Sequence, residues 1–198
     1  MTESVGTRPG GRTARVRQAV LRATGDLLAE RGFAGLDLTE LAERAGVGRT
    51  TVYRRWGSAT ELIRDLLESM AEDSLPRVDT GSLTGDLRAN ARLVRTTLSD
   101  PRQGRLFRAL IMAGAGDEAA AEALHRFYAT RIDEWAPCVT DAVARGELAE
   151  GTDARQVIQA VSAPLYYAFL ASGEPLTEEL ADRAADAAIA AARVGVFD

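Results

Sequence analysis

The feature that most constrains this chain is the spacing of its apolar residues, which recur at three- and four-residue steps in nine successive segments. Such a period places the apolar side chains on one face of an α-helix, whereas a half-buried strand would alternate in steps of two. No alternation of that kind and no internal repeat occurs along the sequence. The pattern therefore predicts an all-α fold of about nine helices.

Glycine and proline divide these helices into four regions. Residues 1–12 lack a period and predict a flexible basic arm, and residues 13–57 contain three helices. Residues 58–75 form a longer connecting helix, and residues 76–198 contain five more, which we assign to a ligand-binding and dimerisation domain. The second and third helices are joined by the glycine turn AGVG, as in a helix-turn-helix. The sequence thus predicts a small N-terminal helix-turn-helix domain and a larger helical C-terminal domain.

Two capping boxes locate helix starts in the N-terminal part. Asp37 followed by Glu40 predicts the start of the second helix, and Ser58 followed by Glu61 predicts the start of the fourth. Gly46 is expected to end the second helix, because glycine adopts the left-handed conformation at helix ends without steric cost. The second helix is therefore only about two turns long.

The charge distribution separates the two ends of the chain, whose overall net charge is −5. Residues 1–60 contain ten arginines against six acidic residues, whereas the remainder contains 14 arginines against 23 acidic residues. A basic end on an acidic chain indicates a polyanionic partner such as nucleic acid.

Rare residue types argue against several function classes. Cys138 is the only cysteine and His125 the only histidine, which excludes an intrachain disulfide and a Cys/His metal cluster. No phosphate-binding glycine loop or paired-carboxylate motif is present, so we expect no enzyme activity, no cofactor and no metal. No apolar run approaches the length of a membrane span and the amino terminus lacks a signal-peptide core, so we expect a cytoplasmic protein.

The third helix, RTTVYRRW at residues 49–56, has the two faces that a DNA recognition helix needs. Val52 and Trp56 lie four residues apart and anchor the inner face. The outward side chains are Arg49, Thr50, Tyr53 and Arg54, with Thr51 and Arg55 on the flanks. They offer hydrogen-bond donors to base edges and phosphates. The competing interpretation is a solvated amphipathic helix of a generic bundle.

Individual roles follow from position and side-chain chemistry. Arg49, at the amino-terminal end of the helix, is predicted to pair bidentately with a guanine in the major groove. Thr39 is placed to bond a phosphate, helped by free backbone N–H groups at the start of the second helix. A further hypothesis is that arginines near the N-terminus contact the adjacent groove of the DNA. These are Arg8, Arg12, Arg15 and Arg17.

Residues 32–63, GFAGLDLTELAERAGVGRTTVYRRWGSATELI, resemble the helix-turn-helix of the TetR/AcrR family of bacterial repressors. They share the glycine-aromatic step, Leu-Thr before the second helix, Ala-Gly-Val in the turn and the tyrosine and final aromatic residue of the recognition helix. The resemblance implies DNA contacts by Thr39, Arg49, Thr50, Thr51, Tyr53, Arg54 and Arg55. It also implies a homodimer formed by the last two helices, a pseudo-palindromic operator and release by a small-molecule effector.

Four positions depart from the family pattern. Gly48 stands where serine often caps the third helix, and Thr50 stands where glycine is common. Arg55 replaces a common histidine, and Ala59 replaces a lysine that often meets a phosphate. The last change removes a contact that Arg54 and Arg55 are expected to restore.

Six large side chains of the C-terminal part are predicted to line a mostly apolar effector pocket with a few hydroxyl donors. They are Phe107, Met112, Tyr128, Trp135, Tyr166 and Tyr167. Ordinary core packing is the competing interpretation for each of them. For the whole chain, the alternative is a helical ligand-binding or scaffolding protein without sequence-specific DNA binding.

Overall fold

The computed structural model describes residues 10–74 and 77–198 of this 198-residue chain. This part contains nine α-helices, a 3₁₀ turn at Phe33–Gly35 and a π-helical segment at Ala168–Ser172, but no β-strand. The α-helices are α1 Gly10–Arg31, α2 Leu38–Ala45, α3 Arg49–Arg55, α4 Ala59–Glu72, α5 Leu83–Ser99, α6 Pro101–Gly116, α7 Glu118–Ala144, α8 Ala154–Tyr167 and α9 Glu178–Arg193. The predicted all-α fold is confirmed. None of the helices in the described ranges is both long and apolar enough to cross a membrane.

The start and end of α2 follow the local sequence closely. Asp37 Oδ1 accepts hydrogen bonds from the backbone N–H groups of Thr39 (2.9 Å) and Glu40 (2.8 Å). The Glu40 carboxylate pairs with Arg31 of α1. Gly46 has a φ of 66° and ends α2 in the left-handed conformation, which favours glycine.

Two details differ from the sequence expectation. α1 already includes residues 10–12, which the sequence analysis assigned to the arm, and Arg15 Nε donates to the Gly11 carbonyl oxygen (3.1 Å) in this first turn. The rest of the predicted arm, residues 1–9, lies outside the described residues. The π-helical segment after α8 has no signal in the sequence that would have indicated it.

Contacts divide the described chain into two compact units. Unit 1 contains the described residues up to Ser69 together with Arg105–Leu124, and unit 2 contains the described residues of Met70–Gly104 together with His125–Asp198. Residues 105–124, which the sequence analysis placed in the C-terminal domain, therefore pack with the helix-turn-helix.

Unit 1 is held by an apolar core and by polar bonds to its second segment. Leu27, Leu41, Val52, Leu62 and Ile63 of the first four helices are fully buried. The two polar bonds run from Arg105 Nε to the Ala29 carbonyl oxygen (3.1 Å) and from the Thr60 hydroxyl to Asp117 Oδ2 (3.2 Å). They fix α6 and the start of α7 to α1 and α4 within this unit.

Unit 2 is built on α5, α7, α8 and α9. Its buried core includes Leu87, Trp135, Val139, Val161 and Leu165. The buried face of α9 consists of Ala181, Ala184, Ala185, Ala188, Ile189 and Ala192. Because these side chains are mostly alanine, α9 is able to pack closely against α5 and α8.

Candidate nucleic-acid interface

The two faces of α3 are sharply distinguished by burial. Val52 is fully buried and Trp56, the residue that ends the helix, is 6% exposed. Tyr53 lies between them in the sequence and is 50% exposed. The inner face is therefore fixed in the unit 1 core, and the outer face is open to a partner, as predicted.

The seven residues predicted to contact DNA lie on two helices, α2 and α3. Exposed positions on α3 are Arg49, Thr50, Tyr53, Arg54 and Arg55, and half-buried positions are Thr39 on α2 and Thr51 on α3. A helix-turn-helix places its second helix in the major groove while the first crosses the backbone. The arrangement thus offers three arginines, three hydroxyl-bearing threonines and one tyrosine to a duplex.

Two of the backbone N–H groups expected to help Thr39 bind a phosphate are already engaged. The N–H groups of Thr39 and Glu40 are already bonded to the Asp37 carboxylate. A capping anion at this position competes with a phosphate, because both need the same donors. The phosphate contact predicted for Thr39 therefore depends mainly on its side chain.

Acidic side chains of the helix-turn-helix pair with several of its arginines. Glu43 of α2 forms an ion pair with Arg49, the predicted base-contacting residue. Glu30 of α1 accepts two hydrogen bonds from Arg44, both 2.7 Å long. The hydrogen bond from Arg44 holds the pKa of Glu30 below its usual value, against a smaller opposing effect of desolvation. The basic charge of this surface is thus partly neutralised. To bind DNA, Arg49 must either break its ion pair with Glu43 or contact Glu43 and DNA at the same time.

The N-terminal arginines that the structure describes have different surroundings. Arg12 and Arg15 are exposed on α1, whereas Arg17 donates to Asp65 of α4. The hypothesis that Arg17 reaches a groove is therefore not supported, because its guanidinium is engaged inside unit 1. Arg8 lies outside the described residues.

Two acidic residues that contact the recognition helix, Asp65 and Glu43, were not predicted from the sequence. Asp65 accepts a 2.7 Å hydrogen bond from the indole N–H of Trp56. Glu43 and Arg49 are six residues apart and belong to different helices, and Asp65 lies nine residues after Trp56. Neither spacing corresponds to neighbours on one helix face, so periodicity contained no signal for them.

The six predicted pocket residues occupy different environments. Phe107 and Met112 belong to unit 1, where Phe107 is buried and Met112 is exposed. In unit 2, Trp135 is buried in the core and Tyr167 is 66% exposed. The rings of Tyr128 and Tyr166 meet edge to face, with centroids 5.6 Å apart. Burial raises the pKa of both phenols above the ordinary tyrosine value.

Comparison with known proteins matches both parts of the chain. A family model described as "Bacterial regulatory proteins, tetR family" matches residues 20–66, and one described as "Tetracyclin repressor-like, C-terminal domain" matches residues 77–188. The HTH-type transcriptional regulator YdeS of Bacillus subtilis (strain 168) is 33% identical over 162 residues, which cover 81% of each chain. The DNA-binding transcriptional repressor TetR of Mycobacteroides abscessus is 29% identical over 170 residues, covering 85% of this chain and 88% of its own.

Solved structures support the same assignment. The TetR family transcription regulator SCO0332 has a TM-score of 0.70 and 26% identity, covering 88% of this chain and 97% of its own. Salmonella enterica GusR, at 21% identity, shares the fold with a TM-score of 0.72 and covers 96% of this chain and 97% of its own. The matched proteins are DNA-binding regulators of transcription and not enzymes. Together with the helix-turn-helix geometry of α2 and α3, these matches show that the chain belongs to the TetR family of bacterial transcriptional regulators.

Proposed function

We propose that the protein is a cytoplasmic transcriptional repressor that binds a pseudo-palindromic operator as a homodimer and releases it when a small molecule binds. The observation that carries this proposal is the outer face of α3. It presents Arg49, Thr50, Tyr53 and Arg54, while Val52 and Trp56 anchor the opposite face in the core. The competing interpretation, a solvated helix of a generic bundle, does not explain why a fixed inner face is combined with donors suited to base edges at the amino-terminal end.

An exposed apolar face in unit 2 supports dimerisation through the last two helices. We group into this face the exposed apolar residues at helical spacing on the two helices, which are Ala163, Pro164 and Tyr167 on α8, Ala187 and Ala190 on α9 and Val194 just after α9. Helix surfaces rich in small residues allow a second helix to approach closely. A second copy with the same face would form an isologous interface. The exposure of Tyr167 favours this role over its predicted place in an effector pocket.

Tyr128 and Tyr166 are the best supported of the proposed effector contacts. The Tyr128 hydroxyl is buried, and burial, followed by the neighbouring Tyr166 phenol, raises its pKa. Buried hydroxyls are normally hydrogen-bonded, so a ligand with a polar atom at this position would offer a further partner to this pair of phenols. The pocket roles of Phe107, Met112 and Trp135 stay predictions from the sequence.

Release follows from linkage between the two ligands. A dimer binds two half-sites only when its two recognition helices match their spacing, about 34 Å for adjacent turns of the groove. An effector that binds more tightly to a different spacing lowers operator affinity by the same factor by which the operator lowers effector affinity. Repression would then end without any change in the recognition residues.

The first test is selection of DNA from a library of randomised duplexes by the full-length protein. Enrichment of an inverted repeat is the expected result, because a homodimer reads the same half-site twice. If no sequence is enriched and selected fragments bind no tighter than random DNA at physiological salt, the alternative of a helical ligand-binding or scaffolding protein replaces this proposal.

The second test separates base contact from charge attraction at Arg49. We expect Arg49→Ala to weaken binding to the selected operator about tenfold or more and binding to random DNA only a few-fold, because a bidentate guanine contact is specific to sequence. Arg22→Ala is the matched control, since Arg22 is exposed on α1 and loses the same charge. Equal losses on both kinds of DNA would assign Arg49 to phosphate attraction instead.

A further inference from the structure

One carboxylate of unit 1 contacts residues of two other helices, one of which is the recognition helix α3. Asp65, on α4, has a side chain that is only 15% exposed. Its Oδ1 accepts a hydrogen bond from Nε of Arg17 on α1 (2.8 Å) and forms an ion pair with Nη2 of the same side chain (2.7 Å). Its Oδ2 accepts a hydrogen bond from Trp56 Nε1 (2.7 Å) at the end of α3. The carboxylate thus links the end of the recognition helix to both α1 and α4.

The recognition helix depends on such an anchor because it has little structure of its own. α3 has seven residues, and Gly48 at its start provides no side-chain cap. A helix of this length is unstable alone, so contacts with the rest of the unit must set its orientation. Val52 supplies apolar contact, which is non-directional, whereas the Trp56 hydrogen bond is directional. The bond to Asp65 therefore adds a directional contact to the core packing that holds the rotation of α3 about its axis.

A second contact connects this anchor with the DNA-facing surface. The guanidinium carbon of Arg55 lies 4.8 Å from the centroid of the Trp56 ring. A cation over an aromatic face is attracted by the ring, so the position of Trp56 influences the position of Arg55. The chain of contacts runs from the Asp65 carboxylate through the Trp56 indole to the Arg55 side chain.

The Asp65 carboxylate is ionised at neutral pH. Burial would raise its pKa, but the hydrogen bonds from Arg17 and Trp56 and the Arg17 charge outweigh burial and bring the pKa below its usual value. An amide at this position has one acceptor oxygen, so it would accept from either Arg17 or Trp56 and turn its N–H donors toward the other, although both partners are donors. The site therefore requires an anion and does not tolerate an isosteric neutral group without rearrangement.

We propose that Asp65 is a positioning residue for operator recognition, which sets the orientation of α3 and the place of Arg55 by holding the indole N–H of Trp56. This inference rests on the proposed function, since it concerns the accuracy of sequence-specific binding. It predicts that loss of the carboxylate reduces discrimination between operator and random DNA. A residue that only stabilised the fold would reduce both affinities together.

The test compares Asp65→Asn, Trp56→Phe and the double variant on the selected operator and on random duplexes. Glu68→Gln is the matched control, because Glu68 is an exposed carboxylate of α4 that pairs with Arg64 (3.1 Å). We expect Asp65→Asn to lower operator affinity about tenfold while random-DNA affinity changes less than about threefold. Trp56→Phe should change the affinities in the same direction. The double variant should lose no more operator affinity than Asp65→Asn alone, because both substitutions remove the same hydrogen bond.

A spectroscopic signature reports the contact directly. The chain has two tryptophans, so an ¹⁵N-labelled sample gives two indole N–H resonances, from Trp56 and Trp135. The Trp56 resonance should move upfield in Asp65→Asn and stay in place in Glu68→Gln, with Trp135 of the unit 2 core as the internal reference. The folded fraction of each variant is measured by circular dichroism at the assay temperature. If Asp65→Asn does not fold, Trp56→Phe decides the question, because it keeps the Asp65–Arg17 pair.

The outcomes separate the two proposals. Failure to select any operator overturns the proposed function. An operator whose affinity is unchanged in Asp65→Asn and in Trp56→Phe overturns the positioning role alone. The positioning role is equally overturned if both variants weaken operator and random DNA by the same factor.

Discussion

Arg49 has two competing partners, the Glu43 carboxylate and DNA. In this structure the pair is formed on the surface, with more than half of each side chain exposed. Exposed ion pairs contribute little free energy because solvent screens them. Glu43 therefore imposes a modest penalty on every DNA complex that needs Arg49, without preventing it.

We expect Glu43→Gln to raise affinity for both random and operator DNA by about two- to fivefold, the range that an exposed pair allows. The measurement is a binding titration on both duplexes at one salt concentration, because phosphate contacts make DNA affinity strongly salt-dependent. Glu68→Gln changes the net charge equally and should have a smaller effect. A lower operator affinity in Glu43→Gln, with random-DNA affinity unchanged, would mean that Glu43 orients Arg49 on the base.

At the scale of helices, ion pairs fasten α5 to α9 in unit 2. Arg92 donates two hydrogen bonds to the Asp182 carboxylate (2.8 and 2.7 Å), and Arg88 does the same with Asp186 (3.0 and 2.8 Å). The hydrogen bond from Arg92, followed by its charge, lowers the pKa of Asp182 despite partial desolvation. A carboxyl group with a lowered folded-state pKa stabilises the fold at pH values above its unfolded-state pKa. That stabilisation disappears as the pH falls through the folded-state pKa.

Asp182→Asn should therefore lower Tm at pH 7 by about 1–3 °C and make no difference at a pH below the lowered pKa of Asp182. Thermal unfolding at one protein concentration across the acid range measures this, since oligomerisation makes Tm concentration-dependent. Arg92→Gln and the double variant with Asp182→Asn complete a double-mutant cycle. The Tm losses of the two single variants should not add in the double variant, because both remove the same ion pair. A Tm difference that persists unchanged in strong acid would show that the loss comes from packing and not from the ion pair.

Helix ends in this chain were largely predictable because each depends on residues close in sequence. Asp37, Ser58 and Thr177 each accept a hydrogen bond from a backbone N–H two or three residues ahead. Such bonds need only the local backbone geometry of a helix start. Gly46 follows from the same local physics, because its left-handed conformation is costly for other residues.

Contacts between distant residues were not predictable from the sequence. Arg17 and Asp65 are 48 residues apart, and Thr60 and Asp117 are 57 apart. Which arginine meets which acid depends on how the helices pack, and periodicity specifies only which face of a helix is buried. The same limit applies to the interface: the recognition face was predicted from one helix, whereas its anchor Asp65 belongs to another.

At the scale of the whole molecule, operator binding and self-association depend on each other. A single helix-turn-helix contacts one half-site, and the second half-site adds affinity only when another copy is attached at the correct distance. The apolar face of α8 and α9 is the surface that we propose for this attachment. A change confined to that face should therefore alter DNA binding without touching any DNA contact.

Ala190→Glu tests this dependence, because it places a charge on the proposed apolar face. Ala190 itself is exposed, so its replacement leaves no cavity. We expect the wild-type protein to sediment as a dimer and the variant with a mass near 21.2 kDa, that of one chain. Operator affinity should fall about a hundredfold, since two linked sites gain at least that much over one, whereas helix content should be unchanged.

The matched control is Ala149→Glu, an exposed alanine of unit 2 that lies outside α8 and α9 and acquires the same charge. It should leave both mass and operator affinity as in the wild type. A dimeric Ala190→Glu variant with normal operator binding would place the interface on another surface. A monomeric variant that still binds the full operator as tightly as the wild type would instead show that one copy is sufficient, because no avidity would then have been lost.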